Sequence, residues 1–544
     1  MLAAIFIAMS LAGCGGGGGG DDSGSALYGP GGSTTPATQG SVTITPKGPV
    51  TGVGDLDQPY TAVLEGTWKA TNLASGSAVY LKVADTSDVF QMPAVQPAPA
   101  GGTFRFELAQ KSNAPAGRYT GQFEITPCRD AACAQTWGAP VRVDYQLDVA
   151  GLGEWETLGR DASHASSVAT RIDPTRLQQA WEWTAPQAAS AVESWVARPA
   201  TTGGSLVVLA GSTMGDGSQR GTSLLQLNET TGALRSTVTI DDNIQTAAPG
   251  SNGRLAYLTR FGSDELLTAY DGAGNVAFRY MQPTDPLALT LAPSHRDGVI
   301  YFFGGFNGGE VHAADANTGA RLWATPRVGL ESATPTVDAN YVYYHASSGG
   351  FGTIEMLDRR TGAHVASIID PSSDGTRPLG SNAVALGSRG NLISRSFRGL
   401  TATRLSSFNI ADRQWEWTTS FPYSQFFAVS GGVIYAIRAV SGTPTLDAID
   451  ETNGQVLWSW AVPVTDGQSG TFGNIVATQN TVFFGTQSAG GATSWVWAVD
   501  TEQRKLAWRV PDAGYIVISG SRTVYLMSGP AGGIMNRVRA MRMQ

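Results

Sequence analysis

Short runs of alternating apolar and polar residues fill much of the chain. Between residues 41 and 150 they include SVTITP, TFRFELAQ and VRVDYQLDV, with turn residues between them. A period of two in runs of this length is typical of strands with one buried face. We therefore predict an all-β protein whose first folded unit, residues 41–150, is an antiparallel β-sandwich.

A longer phrase repeats through the rest of the chain, for example as VHAADANTGARLW, LDAIDETNGQVLW and VWAVDTEQRKLAW. It places an Asp or Asn at positions 228, 271, 315, 358, 409, 450 and 500, which are 41 to 51 residues apart. A period of 40–50 residues in strand-rich sequence predicts the blades of a β-propeller.

A second, apolar phrase precedes each turn and occurs eight times, as in LVVLAG at 206 and VIYFFGG at 299. We interpret it as the inner strand of each blade. LQQAWEW, residues 177–183, stands at the start without an inner partner, and RVRAMRM, residues 537–543, stands at the end without an outer one. We therefore predict that residues 152–544 form an eight-bladed propeller whose last blade is closed by the first strand, with seven blades as the alternative.

The repeated residues are interpreted as architecture. An Asp that recurs in every blade is best explained by capping of the turn amides, and a Trp four residues after the turn glycine would fill the layer between neighbouring blades. The blade-turn residues predicted in this way are Asp315, Gly319, Asp358, Gly362, Asp450, Gly454 and Asp500, and the blade-packing residues are Trp323, Trp417, Trp458 and Trp508.

The phrase D-x-x-[TN]-G-x-x-x-W resembles the repeat of pyrroloquinoline-quinone (PQQ) dehydrogenases and their non-catalytic relatives, which include the BamB lipoproteins of the outer-membrane β-barrel assembly machine. The segment LGRDASHASSVATRIDPTRLQQAWEW, residues 158–183, is similar to the start of those propellers. The resemblance implies a PQQ/BamB-like fold. In the first unit, PAGRYTGQFEITPCRDAACAQTWGAPVRVDYQLDV is similar to the last strands of immunoglobulin-like modules, which implies an immunoglobulin-like sandwich.

The N-terminus carries an apolar run, residues 2–11, that is too short to span a bilayer as a helix. It ends in LAGC, which resembles the lipobox of bacterial lipoproteins. This implies that residues 1–14 are a signal peptide and lipobox, that Cys14 is lipidated, and that the protein is an outer-membrane lipoprotein. Residues 15–40 are rich in Gly, Ser and Pro and are predicted to be a disordered tether.

Two cysteines, Cys128 and Cys133, lie in the segment PCRDAAC near the predicted final hairpin of the sandwich. In an exported protein such a pair is predicted to form a disulfide. The alternative is a metal pair, but the chain has no second Cys/His pair to complete a tetrahedral zinc site.

Catalytic signals are sparse. No cysteine follows Cys133, so the vicinal cysteine pair and the haem motif of quinoprotein enzymes are absent, and there is no G-x-S-x-G elbow. We expect His164 to be a hydrogen-bonded loop residue, and His312 and His364 to be exposed or half-packed. We therefore predict no catalytic residue, no cofactor and no metal. A net charge of -8 disfavours nucleic acid as a partner.

The leading hypothesis is a non-catalytic, membrane-anchored lipoprotein that binds envelope proteins through propeller loops, in outer-membrane protein assembly or secretion. The first alternative is a glycan-binding or small-ligand-binding propeller, with aromatic residues such as those of SFPYSQFF, residues 420–427, stacking on a sugar. The second alternative is a degenerate PQQ-dependent dehydrogenase-like protein.

Overall fold

The computed structural model of the protein describes most of the chain beyond residue 39. The described residues are 40–55, 59–111, 114, 117–188, 191–216, 218–240, 247–260, 265–282, 292–304, 309–328, 330–331, 334–348, 351–370, 384–398, 402–438, 443–463, 471–487, 494–512, 514–529 and 535–543. The predicted signal peptide, Cys14 and nearly all of the predicted tether lie outside them.

The first folded unit consists of two sheets, one with strand order β1-β3-β6 and one with order β2-β8-β7-β4-β5. Strand β2 runs parallel to β8, and the other pairs are antiparallel. The strands are β1 (Ser41–Pro46), β2 (Val50–Asp55), β3 (Thr61–Thr71), β4 (Tyr80–Asp85), β5 (Gln96–Pro97), β6 (Thr103–Ala109), β7 (Gly117–Cys128) and β8 (Val141–Ala150).

Alternation along these strands produces the core. In β6 the residues Phe104, Phe106 and Leu108 are buried while their neighbours are exposed. Within the five-stranded sheet, the rings of Phe123 (β7) and Tyr145 (β8) stack with centroids 4.6 Å apart. These rings belong to the same buried cluster as Phe104, Phe106 and Leu108 of the other sheet, so the two inner faces meet as in other β-sandwiches.

A disulfide joins Cys128, the last residue of β7, to Cys133 in the connection to β8, with a Cα–Cα distance of 4.9 Å. Next to it, the guanidinium of Arg129 lies 4.3 Å from the centroid of the Trp137 ring. The indole N–H of Trp137 donates to the carbonyl of Ala78, so this hairpin is attached to the body of the sandwich.

The second unit contains eight sheets, which we number 1 to 8 in chain order of their first strands. A 3-10 helix (Pro174–Arg176) and β9 (Leu177–Thr184) precede them. Sheet 1 contains β10 (Ala191–Thr202), β11 (Ser205–Met214), β12 (Gln219–Asn228) and β13 (Leu234–Thr239), and sheet 2 contains β14 (Ala247–Ser251), β15 (Ala256–Arg260), β16 (Glu265–Tyr270) and β17 (Val276–Met281). Sheet 3 contains β18 (Ser294–Arg296), β19 (Val299–Gly304), β20 (Glu310–Asp315) and β21 (Arg321–Pro326). Sheet 4 contains β22 (Leu330–Glu331), β23 (Thr336–Val337), β24 (Tyr341–Ser348), β25 (Phe351–Asp358) and β26 (His364–Ile369).

Sheets 5 to 8 continue the same plan. They are built from β27 (Val384–Leu386), β28 (Asn391–Arg398), β29 (Ala402–Asn409) and β30 (Gln414–Thr418); β31 (Tyr423–Ser430), β32 (Val433–Arg438), β33 (Thr445–Asp450) and β34 (Val456–Ala461); β35 (Thr471–Ala477), β36 (Thr481–Gln487), β37 (Trp495–Asp500) and β38 (Lys505–Pro511); and β39 (Tyr515–Ile518), β40 (Val524–Ser528), β41 (Arg537–Met543) and the early strand β9.

Consecutive sheets pack face to face, and buried apolar clusters fill the layers between them. First strands of successive sheets contact one another, for example β10 with β14 and β31 with β35, and sheet 8 reaches sheet 1 through β41 and β10. The first strand of each sheet is therefore the innermost. The prediction that the repeated apolar phrase is the inner strand is wrong, because that phrase forms the second strand, such as β11 or β19, which is buried on both faces.

Because all strand pairs in sheets 1 to 8 are antiparallel, each sheet has two ends. We call the end with the first-to-second and third-to-fourth connections the turn face. The opposite end, with the second-to-third connections and the connections between sheets, is the loop face. Glu229, Arg359 and Glu451, each directly after a repeated Asp or Asn, donate main-chain hydrogen bonds to the first-to-second turn of their own sheet, which ties the two turns together.

Candidate functional site

The repeated acids cap the tight turns at the turn face. The Asp315 carboxylate accepts hydrogen bonds from the main-chain N–H groups of Asn317 and Thr318, at 3.0 and 2.8 Å, and from the Thr318 hydroxyl at 2.8 Å. Asp358 makes the same three contacts, and Asp450 and Asp500 also accept hydrogen bonds from main-chain N–H groups of their own turns. In Asp315 these hydrogen bonds hold the pKa of the carboxyl below its usual range. The acids are thus occupied within their own turns.

The repeated tryptophans connect each sheet to the turn of the next. Trp323 of sheet 3 donates from its indole N–H to the carbonyl of Arg359 in sheet 4, at 3.0 Å. Its ring covers Gly362, where an added Cβ would lie 2.5 Å from the ring. Trp417 makes the same pair of contacts with Glu451 and Gly454.

The remaining predicted tryptophans lie in layers between sheets. Trp458 packs against the ring of Tyr435, with centroids 6.1 Å apart, and Trp508 packs on the cluster between sheets 7 and 8. Sequence reasoning missed two residues with the same function: Trp181 of β9 lies on Gly232, and Phe278 lies on Gly319. These aromatic side chains pack neighbouring sheets together and are not arranged as a reactive site.

A segment that the repeat does not explain contacts all eight sheets. We call residues 152–172 the strap. It begins two residues after β8 and ends just before the 3-10 helix. Seven of its carbonyls accept hydrogen bonds of 2.7 to 3.0 Å from main-chain N–H groups at the turn-face ends of the sheets: Trp155 from Thr201, Glu156 from Ser251, Ala162 from Val337, Ser163 from Leu386, Ala165 from Val429, Ser166 from Ala477 and Thr170 from Gln479.

These bonds reach sheets 1, 2, 4, 5, 6 and 7. In sheet 8 the carbonyl of Gly520 accepts from the N–H of Leu152 at 3.0 Å, and in sheet 3 the Ser294 hydroxyl lies 3.2 Å from Nε2 of His164. The strap therefore lies across the turn-face ends of the first strands.

His164 is part of this contact and is only 1% exposed. The Ser294 hydroxyl donates to the carbonyl of Pro335, so it accepts from His164, whose Nε2 must carry the proton. Burial lowers the pKa of His164 to about 4, which keeps the ring neutral. A buried, neutral, hydrogen-bonded ring is a structural histidine.

Two other histidines are also buried. His312 is fully inside sheet 3, with Nδ1 3.1 Å from the Tyr280 hydroxyl, so the prediction that it is exposed or half-packed is wrong. His312 occupies a third-strand position whose side chain points into the layer between two sheets. Burial lowers the pKa of His312 to about 4, and it does the same for His345 in sheet 4.

An acid inside sheet 6 forms a charged cluster near the loop face that was not predicted. Asp447 is fully buried and accepts hydrogen bonds from Arg438 at 2.7 Å, Ser459 at 2.7 Å and Tyr423 at 3.1 Å. The guanidinium of Arg438 lies 4.1 Å from the ring centroid of Phe421, which is 40% exposed. The sequence signal was weak, because the equivalent third-strand position is also polar in other repeats, as at His312 and Glu355.

Sheet 4 brings a serine, a histidine and a glutamate together. Nε2 of His364 lies 2.9 Å from the Glu355 carboxylate and 3.2 Å from the Ser367 hydroxyl, and that hydroxyl donates to the same carboxylate at 2.6 Å. In Ser-His-acid catalysis the serine and the acid contact different ring nitrogens. Here both contact Nε2, so this cluster does not have the geometry of a catalytic triad.

The PQQ enzymes require a quinone site and a metal ion. Within the residues that the structure describes, no group of three or more His, Cys, Asp or Glu side chains is arranged to hold a metal. The chain also has no cysteine after Cys133. The described residues therefore do not fit the quinoprotein machinery. No helix in the same part of the chain has the length and hydrophobicity needed to cross a membrane.

Residues 165–398 match the family model described as "Outer membrane protein assembly factor BamB". The match begins inside the strap and ends with β28 in sheet 5. No curated protein is similar to the chain in sequence.

Three solved structures are similar in fold. A europium-containing methanol dehydrogenase has a TM-score of 0.52 and 12% identity, and the match covers 72% of this chain and 98% of that one. The quinohemoprotein alcohol dehydrogenase from Comamonas testosteroni has a TM-score of 0.52 and 14% identity, covering 72% and 81%. BamB from Moraxella catarrhalis has a TM-score of 0.44 and 17% identity, covering 68% and 98%.

The chain therefore has a PQQ-like propeller fold. Identities this low establish the fold alone, so the activity of the two dehydrogenases is not transferred to this chain.

Proposed function

We propose that the protein is a non-catalytic scaffold of the bacterial envelope that binds other proteins through the loop face of its propeller. In this proposal the eight sheets are the eight blades of one closed ring, β9 closes it, and the N-terminal sandwich is an immunoglobulin-like spacer. Cys14 anchors the chain in the outer membrane through lipid.

The observation that carries the proposal is the strap. It covers the turn-face ends of the first strands, and the sandwich is joined to it directly at Ala150. The loop face is the end left for a partner, and the non-repeating connections lie there. Met281 and Ile369, at strand ends on this face, are 61% and 59% exposed and would be accessible to a partner.

The role is further supported by the BamB family match and by the predicted site residues, whose side chains bind groups within the protein itself. Every repeated acid caps its own turn, and the Ser, His and Glu cluster of sheet 4 has the wrong geometry for catalysis. The wider family also contains enzymes, so reconstitution with PQQ and calcium is the control: appearance of quinone absorbance and alcohol oxidation would contradict a non-catalytic role.

Site-specific photo-crosslinking tests the choice of face. A photoreactive amino acid is placed at Met281, Ile369 or Phe421 on the loop face, and at exposed Arg360 or Thr452 on the turn face as matched controls. We expect discrete protein adducts from the loop face only. Equal adducts from the turn face, or none from any position in intact cells, would contradict the proposal. A Cys14→Ser variant that stays in the membrane fraction would contradict lipid anchoring.

A second candidate is binding of a glycan or small ligand beside Phe421. The observation that favours it is the half-exposed ring of Phe421, which has the Arg438 guanidinium on one face. Titration calorimetry against a glycan panel tests it, and heat that survives Phe421→Ala would place binding elsewhere.

A further inference from the structure

The strap is held as a bound peptide would be held. The seven hydrogen bonds that its carbonyls accept come from six different sheets, and Ser167 forms a parallel β-bridge with Ala477 of β35. We propose that the turn-face mouth of the propeller is a peptide-binding site of the sheet-edge type, and that residues 152–172 are its built-in ligand. This inference does not depend on the proposed scaffold role.

The physical basis is the inner edge of each sheet. A first strand such as β35 pairs with the second strand on one side, and its other side faces the centre of the ring. An unpaired strand edge presents N–H groups that need acceptors, and an extended peptide is the partner that supplies them. Ala477 shows the arrangement most fully, since its N–H donates to the carbonyl of Ser166 and its carbonyl accepts from the N–H of Val168.

One large side chain anchors the peptide. Trp155 is fully buried in the cluster that joins sheets 7, 8 and 1. Its main chain forms two hydrogen bonds with Thr201: the Trp155 N–H donates to the Thr201 hydroxyl at 2.7 Å, and the Trp155 carbonyl accepts from the Thr201 N–H at 2.8 Å. The site therefore fixes both the position and the register of this residue.

Small side chains are required where the sheets come closest together. Ala162 is buried in the layer between sheets 3 and 4, and Ala165 packs against the layer between sheets 5 and 6. The ligand class is thus a peptide with a tryptophan, followed seven residues later by a run of residues that are small except for the buried His164.

The strap also has a defined shape. Arg160, His164 and Ser166 have positive φ values of 87°, 56° and 51°. Such conformations are unfavourable for residues other than glycine and persist only when the surroundings impose them. The site therefore selects a curved backbone path, which a free peptide would adopt only on binding.

The test separates the strap from both of its neighbours while leaving every residue in place. One protease site is inserted between Ala150 and Gly151, and a second between Thr175 and Arg176, which are both exposed. After the full-length protein is cut at both sites, we expect the strap peptide to co-elute with the rest of the protein. A labelled synthetic peptide of residues 152–175 should then replace it, as measured by fluorescence anisotropy. Uncut protein, whose site is filled, should not bind the labelled peptide.

Peptide variants test specificity. Trp155→Ala should weaken binding by about a hundredfold, because a buried tryptophan is lost. Arg171→Ala is the matched control: its ion pair with Glu502 is exposed on both sides, so its replacement should change binding by less than about fivefold.

Three results would overturn the proposal: loss of the strap from the cut protein without a change in melting temperature, equal binding of the Trp155→Ala peptide, or binding of the labelled peptide to uncut protein. If release of the strap unfolds the propeller, recovery on adding the peptide supports the proposal, and failure to recover contradicts it.

Discussion

The indole N–H of Trp323 donates a hydrogen bond to the carbonyl of Arg359 in the next sheet, at 3.0 Å. The Trp323 ring is 8% exposed and contacts the turn glycine Gly362. One side chain therefore links two sheets by a polar contact and an apolar contact at the same point. Because Trp181 and Trp417 make the same pair of contacts, this is a recurring source of cohesion between sheets.

Replacement of Trp323 should weaken this link. We expect Trp323→Ala to lower the free energy of unfolding by about 3–5 kcal/mol, because a large buried ring is lost and a cavity remains. Chemical denaturation measures the change. Leu322→Ala is the matched control: Leu322 is the adjacent residue, it is 53% exposed, and its replacement should cost less than about 0.5 kcal/mol. Equal losses for the two variants would contradict the role of the tryptophan.

Gly362 carries two constraints that a pair of variants can separate. It has a φ of +72°, and an added Cβ would lie 2.5 Å from the Trp323 ring. Gly298 has a φ of +75° with nothing near the added Cβ. Gly298→Ala should therefore cost only the backbone strain, about 1–2 kcal/mol, and Gly362→Ala should cost more. The added Cβ would also lie 2.6 Å from the Thr325 hydroxyl, so the extra cost should fall, without disappearing, in a Trp323→Ala background.

The buried histidines predict acid sensitivity. The pKa of His164, His312 and His345 is lowered by burial from 6.5 to about 4. A neutral ring is favoured in the folded state, so this stability is fully present above pH 6.5 and is lost as the pH falls towards 4. From pH 7 to pH 5 each histidine should contribute a loss of about 2 kcal/mol.

Urea denaturation at several pH values measures this dependence. His312→Gln should reduce the change in stability between pH 7 and pH 5. Leu322→Ala is the control, since Leu322 is 53% exposed and has no ionisable group, and it should leave that change unaltered. A wild-type protein equally stable at both pH values would refute this assignment.

The disulfide should stabilise the sandwich alone. Cys128 and Cys133 close a short loop, with a sequence separation of 5, so their bond should contribute about 2 kcal/mol. A double Cys→Ser variant should melt earlier in the sandwich transition only. Hydrogen exchange resolved by segment measures this. Increased exchange in sheets 1 to 8 would show that the two units are coupled more tightly than expected.

The elements that repeat could be predicted from the sequence. Asp358 and Trp323 recur at a fixed spacing, and recurrence itself distinguishes a packing residue from a reactive one. The same reasoning misassigned the inner strand, because the repeated apolar phrase marks the strand buried on both faces. First strands such as Ser294–Arg296 are short and have no such signature.

The strap could not be predicted because its contacts use main-chain carbonyls, which every sequence supplies. Its sequence was assigned to the start of a propeller, but nothing in the residues shows that Ala162 and Ser166 contact different sheets. Asp447 was missed for another reason: its third-strand position is polar in several repeats, as at His312, so an acid there is not a distinctive signal. The buried carboxylate is stabilised by hydrogen bonds from Arg438, Ser459 and Tyr423.

The pairing of β9 with β41 has a consequence for biosynthesis. Gln179 and Arg539, which are hydrogen-bonded across this pair, are 360 residues apart in the chain. The ribosome makes β9 before sheets 1 to 7 and β41 after them, so sheet 8 cannot form until the strands of all seven other sheets have been made. Until then β9 has an unpaired edge, and the long-range pairing that completes sheet 8 is the kind of contact that forms slowly.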